Sequence, residues 1–291
     1  MTVIAVPNVS EGRDAAKVEE LGATISRGGA GVLDVHTDAI HNRSVFTVSG
    51  AEECVVEAMA QLGAAARHID LDRHVGVHPR LGVLDVCPIV AHDIELADAA
   101  VIARATGRAI GERAGLPVYL YGAAAMRAAT RELPEIRRGG LRALMRRAEA
   151  GLAPDFGPQR IDTRAGVVCV GARGVLIAFN VWLACDGAIA RDIASQTRTR
   201  GGGPPGVRAL GFALGPGHGS QVSMNLIDPA HTGIDRAFAH VATAAARRGV
   251  KIVATEIVGL VPESFRPQPG KEAARLLVKP GRSLESALSA S

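Results

Sequence analysis

At 291 residues the chain is long enough for two domains of ordinary size, and 47% hydrophobic with 21% charged residues describes a globular protein. Aromatic residues at only 3% argue against a stacking surface for single-stranded nucleic acid, while a net charge of +4 suits either an arginine-biased surface or an anionic small-molecule substrate. No window approaches the ~18 unbroken apolar residues of a membrane span, and the N-terminus lacks the basic start and apolar core of a signal peptide.

Val3–Val6 reads as the first strand, and a helix follows from Asp14, with Val18, Leu21 and Ile25 on one face and Gly28-Gly29 as its stop. Val32–His36 and Ser44–Ser49 are strands. The strongest helical pattern runs from Ala51 to about His68, with Val55, Met59, Leu62, Ala66 and Ile69 at spacings of three and four. The strand Val83–Ile89 completes the order β-α-β-β-α-β, the split βαβ motif. A helix over about Ile94–Ala114 and a strand at Val118–Tyr121 extend this half.

After a loop-like Gly151–Gly166 the same order returns. Val175–Val181, Val207–Leu214, Gln221–Ile227 and Ile252–Val258 are strands, and Ala188–Arg198 and Thr232–Arg248 are helices. Two α+β subdomains of ferredoxin-like type are expected. The run Gly201-Gly-Gly-Pro-Pro is a connection, because no Lys-Ser/Thr follows at the phosphate-loop spacing. The C-terminal stretch Pro262–Ser291 is weakly periodic and expected to fray. Arginines 131, 137, 138, 142, 146 and 147 alternate with Glu132, Glu135 and Glu149, the pattern of a solvated helical face rather than a nucleic-acid surface. Cys54, Cys87, Cys169 and Cys185 are widely spaced without a C-x-x-C pair, as expected of reduced thiols in a cytoplasmic protein.

Three segments concentrate polar residues without periodicity: Pro7–Gly12, Asp34–Arg43 and His74–Asp85. In a split βαβ fold, segments leaving successive strands can converge, so these are candidate walls of one site. Each has a structural alternative, which for His78 is a hydrogen-bonded structural histidine. Asn8, Ser10 and Gly12 can cap the first helix, and Asp38 and Asn42 can stabilise a hairpin turn. In the third segment Gly76 lies between the histidines and Pro79 restricts His78 to an extended conformation, so His74 and His78 are not a helical metal clamp. His36, His41, His74, His78, Asp34, Asp38 and Asp85 are of the right type for zinc or iron, but they lie in loops without a familiar ligand spacing, so no metal is expected. No G-x-S-x-G elbow marks a serine nucleophile.

These segments resemble the formiminotransferase family, the glutamate formimidoyltransferases of histidine breakdown. The resemblance rests on Val6-Pro-Asn-Val-Ser-Glu-Gly12, Asp38-Ala-Ile-His-Asn-Arg-Ser-Val45 and His78-Pro-Arg-Leu-Gly-Val-Leu-Asp-Val-Cys-Pro88. It continues through Pro117-Val-Tyr-Leu-Tyr-Gly122, Ala153-Pro-Asp-Phe-Gly157, Gly171-Ala-Arg-Gly-Val-Leu-Ile-Ala-Phe-Asn180, Gln221-Val-Ser-Met-Asn225 and Glu256-Ile-Val-Gly-Leu-Val-Pro262. It implies two α+β subdomains, 1–172 and 173–291, packed around a substrate tunnel. It also implies transfer of a formimino group from N-formimidoyl-L-glutamate to tetrahydrofolate, in a stand-alone form without the cyclodeaminase domain that many animal relatives carry.

By the same resemblance His78 is the catalytic acid/base. The folate site maps onto Gly157, Pro158, Gln159, Arg160, Ile161, Asp162, Thr163, Arg164, Ala165 and Gly166. Asn8, Arg43 and Arg80 are expected to bind the donor, with the two arginines docking its carboxylates, and Arg160, Arg164 and Arg173 to attract the folate's glutamate tail. Against the family pattern, Val77 stands for a typical Glu, Val83 and Ile89 for Ala and Phe, and His36 where some members carry an assisting acid. Bacterial-looking members of the family place an acid where Asp38 stands, so the resemblance implies Asp38 as the partner of His78, with Asp34 in reserve. Small-molecule substrates are expected, with tetrahydrofolate as co-substrate, no nucleic-acid or membrane partner, and a homodimeric assembly. Two alternatives stay open: formyl transfer from N-formylglutamate, and a folate- or amino-acid-binding paralogue without catalysis.

Overall fold

The first helix begins where its sequence provides acceptors for the free N–H groups of its first turn. Asp14 caps α1 (Ala15–Arg27) by accepting from the Lys17 amide, and Val18, Leu21 and Ile25 turn inward as their spacing requires. The computed structural model describes residues 1–278 and 281–290. The chain divides into two compact units, Met1–Gly174 and Val175–Ser291.

In the first unit, β1 (Val3–Ala5) and β2 (Asn8–Val9) lie in line between β4 (Arg43–Gly50) and β5 (Leu84–Val90), and β3 (Gly31–Asp38) pairs with the outer side of β4. All these pairings are antiparallel, the arrangement of a split βαβ sheet. The helices α1, α2 (Glu52–Ala66) and α3 (Leu96–Ala109) belong to the same half, and α3 runs on into a wider π-helical turn at Ile110–Ala114. Phe46, Val48, Met59, Leu62, Leu84 and Ile102 form the centre of its core and are almost fully removed from solvent.

The sheet then extends in parallel through β7 (Val168–Arg173) to β6 (Val118–Gly122). The strand β7 was not anticipated. Val167-Val-Cys-Val170 is apolar throughout because both faces of this strand are covered, so it lacks the alternation that marks a half-exposed strand. A second core behind it joins Leu81, Tyr119, Tyr121 and Cys169 to Ile136 and Leu144, which come from α4 (Leu133–Arg137) and α5 (Gly140–Glu149). The arginine-rich segment is thus two helices rather than one.

The second unit is a four-stranded antiparallel sheet in the order β11 (Ile252–Val258), β8 (Ile177–Leu183), β10 (Ser220–Leu226), β9 (Val207–Ala213). The crossovers α6 (Gly187–Thr197) and α7 (Ile234–Ala246) make it ferredoxin-like. Ile177, Phe179, Val181, Val222 and Met224 pack with Ile193, Phe238 and Val241. The stretch after Pro262, expected to fray, is docked over its described residues: α8 (Glu272–Arg275) buries Ala273, and α9 (Leu284–Leu288) buries Leu284 and Ala287. Thr255 of β11 donates its amide to Leu276 O at 2.8 Å and accepts from Val278 N at 3.0 Å. Backbone hydrogen bonding to an edge strand leaves no helical periodicity to read. Residues 279, 280 and 291, to which that expectation also extended, lie outside the described residues.

All four cysteines are free thiols, and Cys87 and Cys169 are buried, which pushes each thiol up to about 12. No helix among the described residues is long and apolar enough to cross a membrane.

Candidate active site

The three polar segments meet in the first unit, and Asn42 ties them together. Its Oδ1 accepts from Gly12 N at 3.0 Å, its Nδ2 donates to Val75 O at 3.0 Å, and its carbonyl accepts from His74 Nε2 at 3.0 Å. Asn42 adopts a left-handed φ of 49°, a conformation asparagine tolerates better than most side chains. The approach is tight: a Cβ on Gly12 would lie 2.4 Å from Asp38 O, and one on Gly76 would lie 2.3 Å from His41 O. The Glu11 carboxylate accepts from Gly12, Arg13 and Asp14 amides at 2.9–3.0 Å, so Glu11 holds the turn into α1. Ser10 instead bridges to Gly82 O at 2.8 Å, and the suggested capping by Asn8, Ser10 and Gly12 does not occur.

The two histidines of the third segment hold opposite tautomers, and their partners decide which. His74 donates from Nε2 to a carbonyl and accepts at Nδ1 from the Arg80 guanidinium. In His78, Nδ1 lies 2.8 Å from Pro79 O, and a carbonyl can only accept, so the proton is on Nδ1. Its Nε2 lies 3.0 Å from Arg43 Nη1, and a guanidinium can only donate, so this nitrogen presents its lone pair. Burial pushes His78 well below the usual imidazole value, and Arg43, Arg137 and His41 push it further. It is therefore a neutral base with a defined basic nitrogen.

Arg43 and Asp38 stand directly opposite each other on β4 and β3 and share a sheet face; Asn8, opposite Val45, is on that face one strand further in. Arg43 is half-buried, and among the described residues no carboxylate lies within ion-pair distance of its guanidinium. Its pKa falls to about 10, mainly through desolvation. The Asp38 carboxylate lies on His41, accepting the His41 amide at 2.7 Å and standing 4.0 Å from its Nε2. The His41 ring in turn meets the His78 ring edge-on, with centroids 5.8 Å apart. Asn8 donates Nδ2 to Val6 O at 3.0 Å. Arg80 spends its guanidinium on the loop itself, reaching His74, Gly76 O at 2.8 Å and His78 O at 2.6 Å. Among the described residues no three His, Cys, Asp or Glu side chains gather where they could hold a metal ion.

Arg137, outside the three segments, completes the site through Asp85 at the end of the third. Asp85, 2% exposed, pairs with Arg137 Nη1 at 2.9 Å through one oxygen and accepts Leu81 N at 2.7 Å through the other. Arg137 Nη2 reaches Pro79 O at 2.5 Å, the same oxygen that holds His78. Arg137 was expected on a solvated face, and so was Arg147. Arg147 instead caps the end of α4, donating to Glu135 O and Ile136 O at 2.7 and 2.6 Å. One signal pointed inward: an aspartate within the apolar strand Val83–Ile89 requires a cationic or hydrogen-bonding partner, although it does not say which arginine.

The segment from Gly157 to Gly166 lies alongside His74–Asp85. Gly166 forms an isolated bridge with Gly82, Val83 N donates to Ala165 O at 2.9 Å, and Leu71 N donates to Arg164 O at 2.9 Å. Ile161 anchors the segment in the second core, Arg164 pairs with Asp70 at 3.3 Å, and Thr163 donates to Asp72 at 3.3 Å. Pro158, Gln159 and Arg160 are exposed. Arg173, at the end of β7, donates Nη1 to Gly174 O at 3.0 Å, and desolvation lowers its pKa from the ordinary guanidinium value.

Residues 2–173 match the family described as the N-terminal subdomain of the formiminotransferase domain, and residues 178–268 match the formiminotransferase domain. The chain is 42% identical to a glutamate formimidoyltransferase of Thermoplasma acidophilum, covering 90% of this chain and 88% of that protein. It is 38% identical to one of Streptococcus pyogenes, covering 89% of each. Against a formimidoyltransferase-cyclodeaminase of Gallus gallus the identity is 39% over 90% of this chain, which spans 50% of that longer protein.

Proposed function

The chain belongs to the formiminotransferase family, and from that premise we propose that it transfers the formimino group of N-formimidoyl-L-glutamate to tetrahydrofolate, with His78 as the acid/base. The observation that carries the mechanism is the fixed tautomer of His78, with Nδ1–H on Pro79 O and the Nε2 lone pair facing Arg43. Attack of the folate N5 on the amidine carbon gives a tetrahedral intermediate. Nε2 takes the N5 proton, and the imidazolium returns it to the departing glutamate nitrogen, which leaves as an amine. Tetrahydrofolate is the co-substrate, and the scheme needs no metal ion.

Arg43 has two tasks in this scheme. As a desolvated cation with no carboxylate within ion-pair distance among the described residues, it is suited to a donor carboxylate, and turning toward one frees Nε2. Asn8, on the same face, and Arg80, which shapes the loop, complete the donor side. The pairing of segment Gly157–Gly166 with Gly82 and Val83, in the stretch that carries His78, supports its reading as the folate-binding stretch. The assay that decides is turnover with tetrahydrofolate, comparing formimidoyl-glutamate with formyl-glutamate. A preference for the formyl donor, or no turnover with either, removes the assignment.

Arg43→Gln should raise KM for the donor and shift the acid limb of kcat/KM to higher pH. The sign follows from the charges: Arg43 opposes the imidazolium, so removing it lets the His78 pKa rise from its lowered position. A pH–rate profile with an unmoved acid limb contradicts this role.

Asp38 is proposed to act on His78 through His41. Asp38→Asn should fold normally, bind folate and lose turnover, with the kinetic pKa of the base lowered because a nearby negative charge is gone. Asp34→Asn, on the same face of β3, should change stability or donor affinity instead. Comparing the two variants by thermal unfolding and by kcat shows which carboxylate serves the base.

A further inference from the structure

We propose that Arg137 is a positioning residue for His78, acting through the Pro79 carbonyl and anchored from behind by the buried Asp85 carboxylate. The inference rests on the reading of His78 as the acid/base. Pro79 O has two lone pairs, and both are engaged, one by His78 Nδ1–H at 2.8 Å and one by Arg137 Nη2 at 2.5 Å. A carbonyl held by a single neutral donor can rotate with its loop. One held also by a guanidinium, whose other nitrogen is fixed 2.9 Å from a carboxylate that is itself bonded to Leu81 N, cannot turn without breaking an ion pair. The turn from Pro79 to Leu81 is thus pinned at both ends, and the imidazole inherits its orientation and its tautomer from that turn.

Charge placement points the same way. Arg43 faces His78 at Nε2, His41 meets its ring with Asp38 behind it, Arg80 holds its carbonyl, and Arg137 stands beyond Pro79 with Asp85 behind it. Burial opposes the Arg137 charge, yet the Asp85 carboxylate raises its pKa above the ordinary guanidinium value, so the clamp stays charged while the histidine titrates. Pro79 O therefore keeps a cationic partner in both protonation states of His78. A guanidinium there disfavours a second proton on the ring and favours the state in which Nε2 is basic.

The test is a nitrogen-15 NMR titration of histidine-labelled wild type and R137Q, with the His78 resonances identified by their loss in H78A. Wild type should show a single Nδ1-protonated tautomer titrating below the ordinary imidazole value of about 6.5. R137Q should show mixed tautomers and a higher midpoint. Its kcat should fall roughly ten- to hundred-fold, part of the two to four orders a positioned acid/base supplies, with KM changed only a few-fold. R137K keeps a charge beside Asp85 but lacks the second prong to Pro79. It supplies the same readout if glutamine at 137 prevents folding, and it should also mix the tautomers. A folded R137Q or R137K whose His78 tautomer and midpoint match wild type overturns the proposal, because a merely structural arginine would lower thermal stability and leave both unmoved. Wild type that shows the expected spectrum but no turnover with formimidoyl-glutamate refutes the assigned reaction instead, and the two failures are told apart.

Discussion

His78→Ala is expected to lower kcat by roughly two to four orders of magnitude, about 3 to 5 kcal/mol of transition-state stabilisation, while folate affinity changes only a few-fold. The size follows from what the imidazole does in the proposed reaction. It removes a proton as the C–N bond forms and returns it as the other C–N bond breaks, so its loss affects both halves. The selectivity follows from geometry. The segment Gly157–Gly166 is held by backbone hydrogen bonds from Leu71 and Val83 and by its bridge to Gly82, so truncating the ring leaves that scaffold in place. Removing it does strip the Arg43 guanidinium of the imidazole nitrogen it meets at 3.0 Å, and donor KM should therefore change more than folate affinity does. Rapid-quench turnover and equilibrium folate binding on the purified variant separate the two effects. A variant that keeps most of its turnover excludes His78 from the proton transfers.

That experiment was already motivated by the sequence, because Pro79 and Gly76 forbid a helix around His78 and leave a turn feeding a strand. The meeting of the three polar segments was legible for a similar reason: each leaves or enters a strand of one split βαβ unit. The means by which they meet were not. Asn42 looked like a turn residue, and nothing in its neighbours shows that one side chain and one carbonyl would bond to two other loops. Arg137 was hidden by its company, since the surrounding arginines and glutamates mimic a solvated face and the residue it serves, Asp85, lies on a distant strand. β7 was missed because alternation reports partial exposure, and a parallel strand covered on both faces has none. The tautomers of His74 and His78 depend on which partners are carbonyls and which are guanidinium groups, and no spacing rule carries that information.

Gly166→Ala is expected to destabilise the protein by about 3 kcal/mol and to weaken folate binding more than donor binding. Two independent penalties act at this position. The backbone sits at φ 69°, the left-handed region that a side chain enters at a cost, and a Cβ built there would lie 1.9 Å from Leu81 O and 2.8 Å from Gly82 Cα. Nothing flexible can yield, because the obstructing atoms are backbone in the turn that Asp85 and Arg137 hold through Leu81 N and Pro79 O. Relief requires the Gly157–Gly166 segment to lift off the His78 segment, breaking the hydrogen bonds of Val83 N to Ala165 O and Val167 N to Leu81 O, both 2.9 Å. The proposed folate stretch would then lose its register with the catalytic histidine, while Arg43 and Asn8, on the sheet face of β4 and β2, would keep theirs. Chemical denaturation gives the stability change, and paired titrations with folate and with glutamate give the selectivity. Equal weakening of both ligands would mean that the segment does not serve the folate side in particular, and unchanged stability would mean that the crossing of Gly82 and Gly166 is looser than its geometry implies.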